Sequence, residues 1–333
     1  MKKSILAILI AVVMVASLLP ATALADGTIF EVSTQEALEN VLARAQDGDT
    51  VRLVDDIAIV VTDTGADELA PMLYISSDIT LDLNQNELGF DQTNLGVSLK
   101  CTPCLIFVNG ADVIITGNGA IDAEAQNNNA YGINIVNDGS LTVENGDFYG
   151  AITAIQVEQG KLNIYGGKFQ FAETAAASAP DAYKKYIINI IDSSFKDGSA
   201  AIGITGGTFV GFDPSNNPEG AGTSYVVGDC VVTESGEYII TAPTAQTDNH
   251  VAEVNGMYFT SLNNAIAAAN RGATVKLLKD VTENVVVPKL SDVIINLNGF
   301  NITNSGNEDT ITVKYGAKLE VIGSGTVDNT VHA

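Results

Sequence analysis

The sequence predicts an all-β chain, a parallel β-helix solenoid of short stacked coils, laid out as two tandem modules that each open on a short capping helix. Three observations predict it. A stretch of helix and strand is written twice, at Leu38–Ile57 and again at Leu262–Val281. A shorter motif recurs inside the first copy, at Leu141–Phe148, Leu162–Phe169 and Ile202–Phe209. Glycine and asparagine punctuate the apolar runs throughout, which is the signature of short strands joined by tight turns.

The first 25 residues stand apart from this pattern. Lys2 and Lys3 precede an apolar run from Ile5 to Leu19, and Ala23-Leu24-Ala25 supplies small residues for cleavage. That order is a secretory signal peptide. The run is shorter than the roughly 20 residues that span a bilayer. No cysteine follows Ala25 to take a lipid. No later segment is long and apolar enough to cross a membrane, so a secreted or cell-surface location is expected, with no span left after cleavage.

The first module is expected over 26–242. Leu38, Val41, Leu42 and Ala45 fall on one helical face, Ser33 and Glu36 form a capping box, and Gly48 ends the helix. Thr260 and Gly272 hold the same places in the second module. Each helix would cover the backbone groups that a stack of strands exposes at its open end. Each later coil then offers two alternating apolar residues, a glycine turn and an aromatic. Phe148 and Phe169 are 21 residues apart, and Phe209 lies 40 further on, which leaves room for an inserted loop around Ala172–Tyr186. A single such coil buries too little to fold alone, so neighbours must stack on it. Asn84, Asn86, Asn145, Asn298 and Asn301 sit where stacked side-chain ladders are expected. A linker is read at 243–249, around Pro243, and the second module at 250–333, where the last readable coil reaches Val327 and truncation is expected.

The capping helix, the Asp47-Gly48-Asp49-Thr50-Val51 turn and the Gly-Gly-x-Phe coils resemble the pectin-lyase-like right-handed parallel β-helix superfamily. The stretch Tyr186–Asn217 is similar to secreted β-helix repeat proteins of Gram-positive gut bacteria and to related phage tail-type proteins. The resemblance covers nearly all of the chain after the leader. It implies a fold more than an activity, because this fold serves lyases, hydrolases, spikes and adhesins.

Composition narrows the chemistry. The chain holds 16 Lys plus Arg against 40 Asp plus Glu, a net charge of −24 that repels nucleic acid, anionic lipid and polyuronate. Such a surface gathers calcium weakly at most, and no cofactor is implied. Cys101 and Cys104 have Cys-x-x-Cys spacing, but zinc needs further ligands and the only histidines are His250 and His332. A local Cys101–Cys104 disulfide is the candidate reading, beside two unremarkable thiols, with Cys230 left over.

A lyase of the resembled kind would set a basic residue beside calcium-binding aspartates. Only Arg44, Arg52 and Arg271 are arginines, read on or just after the capping helices, while Lys161 and Lys168 lack a matching run of aspartates. The Gly-His-Gly and Arg-Ile-Lys motifs of the hydrolases are missing. Asp122, Asp138, Glu144, Asp147 and Glu158 are the acids on the coils; a hydrolase would need two of them at a fixed separation, and solvated turn acids are the plainer reading. Neither histidine is placed to serve a nucleophile. Without tryptophan, the candidates for stacking a sugar ring are Tyr149 and Tyr165, set against ordinary strand-surface tyrosines. The expectation is therefore an exported structural or adhesive module, non-catalytic, meeting an extracellular glycan or a cell-surface partner. The alternative is a carbohydrate-active enzyme of the same fold, either a glycoside hydrolase or a polysaccharide lyase. A phage-related receptor-binding protein is a third reading, which the leader opposes.

Overall fold

The computed structural model describes residues 27–93, 99–124, 130–173, 186–217, 223–304 and 306–330. The leader and residues 174–185 of the inserted loop lie outside the described residues. The chain is predominantly β, with long parallel sheets.

Residues 29–241 form three sheets that the chain visits in turn. Sheet I runs through Ile29–Val32, Thr50–Leu53, Ile79–Asp82, Asp112–Thr116, Gly139–Val143, Gly160–Ile164 and Ala200–Ile204, each parallel to the next. Sheet II takes Ile57–Ile59, Glu87–Phe90, Ala120–Asp122, Asp147–Gly150, Lys168–Phe171 and Gly207–Phe209, then closes on an antiparallel hairpin, Val231–Glu234 and Tyr238–Thr241. Sheet III takes Leu69–Ile75, Thr102–Asn109, Tyr131–Val136, Thr153–Val157 and Ile188–Ile190. The core follows from the period of two along each strand. Leu141 and Val143 are buried, as are Leu162 and Ile164, and they pair across sheet I in the register that the repeated motif implies.

The aromatic of that motif forms a column. Phe148, Phe169 and Phe209 occupy matched positions of sheet II. Their buried rings stack with centroids 4.9 Å apart at both steps, tilted by only 12° and 10°. The glycine before each aromatic permits this. Gly167 has φ +93°, and a Cβ there would meet the Gly146 carbonyl oxygen at 2.8 Å. Turn asparagines tie successive strands together. Asn84 donates to the Leu53 carbonyl at 3.1 Å and Asn298 to that of Leu277 at 2.9 Å, while Asn145 donates to Asn118 Oδ1 at 2.6 Å.

Among the described residues, three helices accompany the sheets. Helix α1 spans Gln35–Leu42 and buries Leu38 and Val41, packing against the first strands. Its N-cap is Thr34 rather than Ser33, because the backbone stays extended through Thr34 and its hydroxyl accepts from Ala37 N at 3.2 Å. Helix α2 spans Asp192–Asp197 and ends on Gly198. Helix α3 spans Leu262–Ala268 and is capped by Ser261, not Thr260, whose hydroxyl donates to Asp229 instead. Gly48 and Gly272 likewise do not end the helices. They lie in the turns just before the following strands, Thr50–Leu53 and Ala273–Leu277, and their N–H groups donate to the Asp78 and Asp292 carbonyls at 2.7 Å each.

Residues 252–329 make a second set of sheets. An antiparallel hairpin, Ala252–Val254 and Met257–Phe259, leads into parallel Ala273–Leu277, Asp292–Asn296 and Lys318–Ile322. Val281–Thr282, Ile302–Asn304 and Val327–Asn329 form one flanking sheet, and Val285–Val287 with Ile311–Val313 another. Among the described residues no strand of this part pairs with a strand of residues 29–241, and the two hydrophobic cores are separate clusters.

Removing the middle ring of the aromatic column tests this packing. Phe169→Ala is expected to lower the unfolding free energy by about 3–5 kcal/mol in urea denaturation. A loss under about 1 kcal/mol would mean that the column is not tightly packed.

Candidate functional site

Helix α3 does more than cover its own sheets: it lands on the outer face of sheet I. Asp112, Ser140 and Lys161 stand side by side there on neighbouring strands, with Asn163 and Tyr165 further along the last one. The last carbonyls of a helix lack donors of their own. Lys161 Nζ donates to the Ala269 carbonyl at 2.6 Å, and the Tyr165 hydroxyl to that of Ala268 at 2.8 Å. A cation at a helix C-terminus is favourably placed. Lys161 is nevertheless buried, and burial pulls its pKa down to about 8, with the Arg271 charge adding to the effect. Burial likewise pushes the Tyr165 phenol up to about 12. Asn163 is fully buried beside them, and neither its amide nitrogen nor its oxygen finds a partner.

Arg271 anchors the same contact from beyond the helix. Its Nη1 lies 2.6 Å from Asp112 Oδ1, and its Nη2 donates to the Asp138 carbonyl at 2.9 Å. Burial raises the Asp112 carboxyl to about 6. Arg271 and Lys318 oppose that rise, while Asp78 and Asp292 reinforce it.

Two hollows flank this arginine. The smaller, about 220 Å³, is floored by sheet I and lined by Thr80, Asp112, Ser140, Thr142 and Asn270. The larger, about 620 Å³, lies between the two parts of the chain. Asn137, Asp138 and Gln159 form one wall, and Lys289, Ser291, Asp292, Tyr315 and Lys318 the other. This cleft is the candidate functional site.

A second group of ionisable residues lies on the outer face of sheet II. Burial raises Asp122 to about 6, with Glu87 and Glu124 adding negative charge, and burial also raises Glu87, with Asp56 and Glu124 beside it. Tyr149 stands on the adjacent strand, in register with Asp122. The remaining coil acids are dispersed. Asp147 shares sheet II, Asp138 lies at the cleft, and Glu158 accepts from Asn134 on sheet III.

The stacking candidates are not brought together. Tyr149 belongs to sheet II and packs partly against the core, whereas Tyr165 follows a strand of sheet I and is tied under α3. They share no surface. The exposed aromatic beside a cavity is instead Tyr315, which is 94% exposed. Cys101 and Cys104 are buried as free thiols, and their sulfurs face the Thr62 and Ile106 carbonyls. Arg271, read as a helix residue, lies past the end of α3 and so reaches sheet I. Lys168 pairs with Glu237 at 3.1 Å. Among the described residues, no group of three or more His, Cys, Asp or Glu is arranged to hold a metal, and no helix is long and apolar enough to cross a membrane.

No family model, no curated protein and no solved structure matches the chain.

The buried lysine gives the junction a pH signature. Lys161 holds its proton less tightly folded, at about 8, than unfolded, at 10.5, so stability rises with pH across that window and the full cost is present below it. Lys161→Met is expected to stabilise the chain by up to about 3 kcal/mol at neutral pH. Thermal denaturation should show that advantage vanishing above pH 10.5. A pH-independent difference would contradict the assignment.

Proposed function

We propose that the chain is an exported, non-catalytic structural or adhesive module, folded as a right-handed parallel β-helix of the pectin-lyase-like kind and working outside the cell or on its surface. The single observation that carries this reading is the seal between α3 and sheet I. Lys161 and Tyr165 are committed to holding the two parts together through the last carbonyls of α3. The three-sheet order repeated along the chain supports the fold. The Lys-apolar-Ala leader supports export, and the acidic excess supports a surface that stays soluble outside the cell.

The alternative, a carbohydrate-active enzyme, is favoured by one observation. A carboxyl held near 6, as at Asp122, can donate a proton close to neutral pH, and Glu87 is its acidic neighbour. The two readings separate in one assay. The mature chain, incubated with a panel of plant and mucin glycans, is expected to release no new chain ends. Sustained cleavage that Asp122→Asn abolishes would replace the module by the enzyme.

A further inference from the structure

We propose that the cleft of about 620 Å³ between the two parts binds a short neutral oligosaccharide. The inference gives the adhesive reading its ligand class and rests on that reading. The volume falls within the range of small-ligand sites. Its polar lining is what a hydroxyl-rich ligand requires. Asp138 and Gln159 on one wall, and Ser291 and Asp292 on the other, offer acceptors and donors in close succession.

One of these groups lacks a partner. Ser291 is only 3% exposed, and its hydroxyl makes no hydrogen bond. A buried hydroxyl without a partner is costly, and a ligand hydroxyl in the cleft would relieve it. Tyr315 stands at the rim, 94% exposed, in a turn closed by the Ala317 N–H donating to the Lys314 carbonyl at 3.0 Å. A tyrosine ring held bare beside a polar cleft offers a flat apolar face for the C–H face of a sugar ring.

Charge decides between neutral and acidic ligands. Residues 26–249 carry 32 acids against 8 bases, whereas residues 250–333 carry 8 against 6. An anionic sugar approaching the cleft therefore meets the field of the first part. It also finds two of the cations already engaged, Arg271 with Asp112 at 2.6 Å and Lys318 with Asp292 at 3.1 Å. To use either of these it would have to break an existing pair. A neutral sugar breaks none and is indifferent to the field.

The test is titration of the whole mature chain with maltotriose, cellotriose, chitotriose and trigalacturonate, followed by calorimetry and by the NMR shifts of the tyrosine rings. At least one neutral trisaccharide is expected to bind and to shift the Tyr315 resonances. Tyr315→Ala, at a position too exposed to disturb folding, should weaken that binding about tenfold. Ser291→Ala should weaken it too, and trigalacturonate should bind at least about tenfold more weakly. The proposal is overturned if no neutral trisaccharide binds at about 10 mM, if Tyr315→Ala leaves binding unchanged, or if trigalacturonate binds best. The adhesive reading fails on a different result, bond cleavage, so the two failures are distinguishable.

Discussion

Parallel pairing leaves each strand dependent on the next passage of the chain for half of its hydrogen bonds. An antiparallel hairpin can satisfy its partner after a two-residue turn, but a parallel strand must wait for a full excursion. From Thr50 to Ile204 each excursion from sheet I crosses the other two sheets before it returns, so the turns between sheets must repeat as faithfully as the strands do. That requirement explains where the polar residues sit. Asn84 and Asn298 occupy equivalent turns and each bonds a carbonyl of the preceding strand, at Leu53 and Leu277. Gly48 and Gly272 likewise bond forward to Asp78 and Asp292. The inward aliphatics then supply burial, and the Phe148, Phe169 and Phe209 rings fix the axial spacing along one side.

The same dependence makes sheet ends expensive, and the ends are where the irregular elements collect. Helix α1 packs on the first strands, and the Val231–Glu234 and Tyr238–Thr241 hairpin closes sheet II. Helix α3 has two neighbours. It covers the start of the second set of sheets, and its last carbonyls take hydrogen bonds from Lys161 and Tyr165 on the outer face of sheet I. That double role creates the junction and, with it, a cleft that neither part would possess alone. The cost is a lysine buried without a carboxylate partner and an asparagine left unsatisfied. Such groups weaken an interface compared with a purely apolar one, while narrowing the positions in which it can close.

Much of the fold was legible because the repeat encodes it directly. The Leu141, Leu162 and Ile202 motifs pair in the register that their own spacing sets, and the segments that begin at Leu38 and Leu262 announce two helices with equivalent surroundings. The cap positions were displaced by one residue in both helices, because Ser33 and Thr34, like Thr260 and Ser261, are adjacent residues with equal capping chemistry. The site was far less legible. Tyr149 and Tyr165 alternate correctly with inward residues, yet sequence alternation does not say which sheet a residue joins or what settles upon it. Asp112 and Arg271 are 159 residues apart, and Asp112, Ser140 and Lys161 are separated by 28 and then 21. Unequal coils hide that row until the register is known. Tyr315 gave no signal beyond the glycine that follows it.

The central claim is that successive passages of the chain lie over one another in parallel, in the register of the repeated motif. Contacts between ring protons in a sample labelled only at phenylalanine test it most directly. The account predicts strong nuclear Overhauser effects between Phe148 and Phe169 and between Phe169 and Phe209, with none between Phe148 and Phe209. Rings that show no mutual contact, or a Phe148–Phe209 contact that skips Phe169, would contradict it.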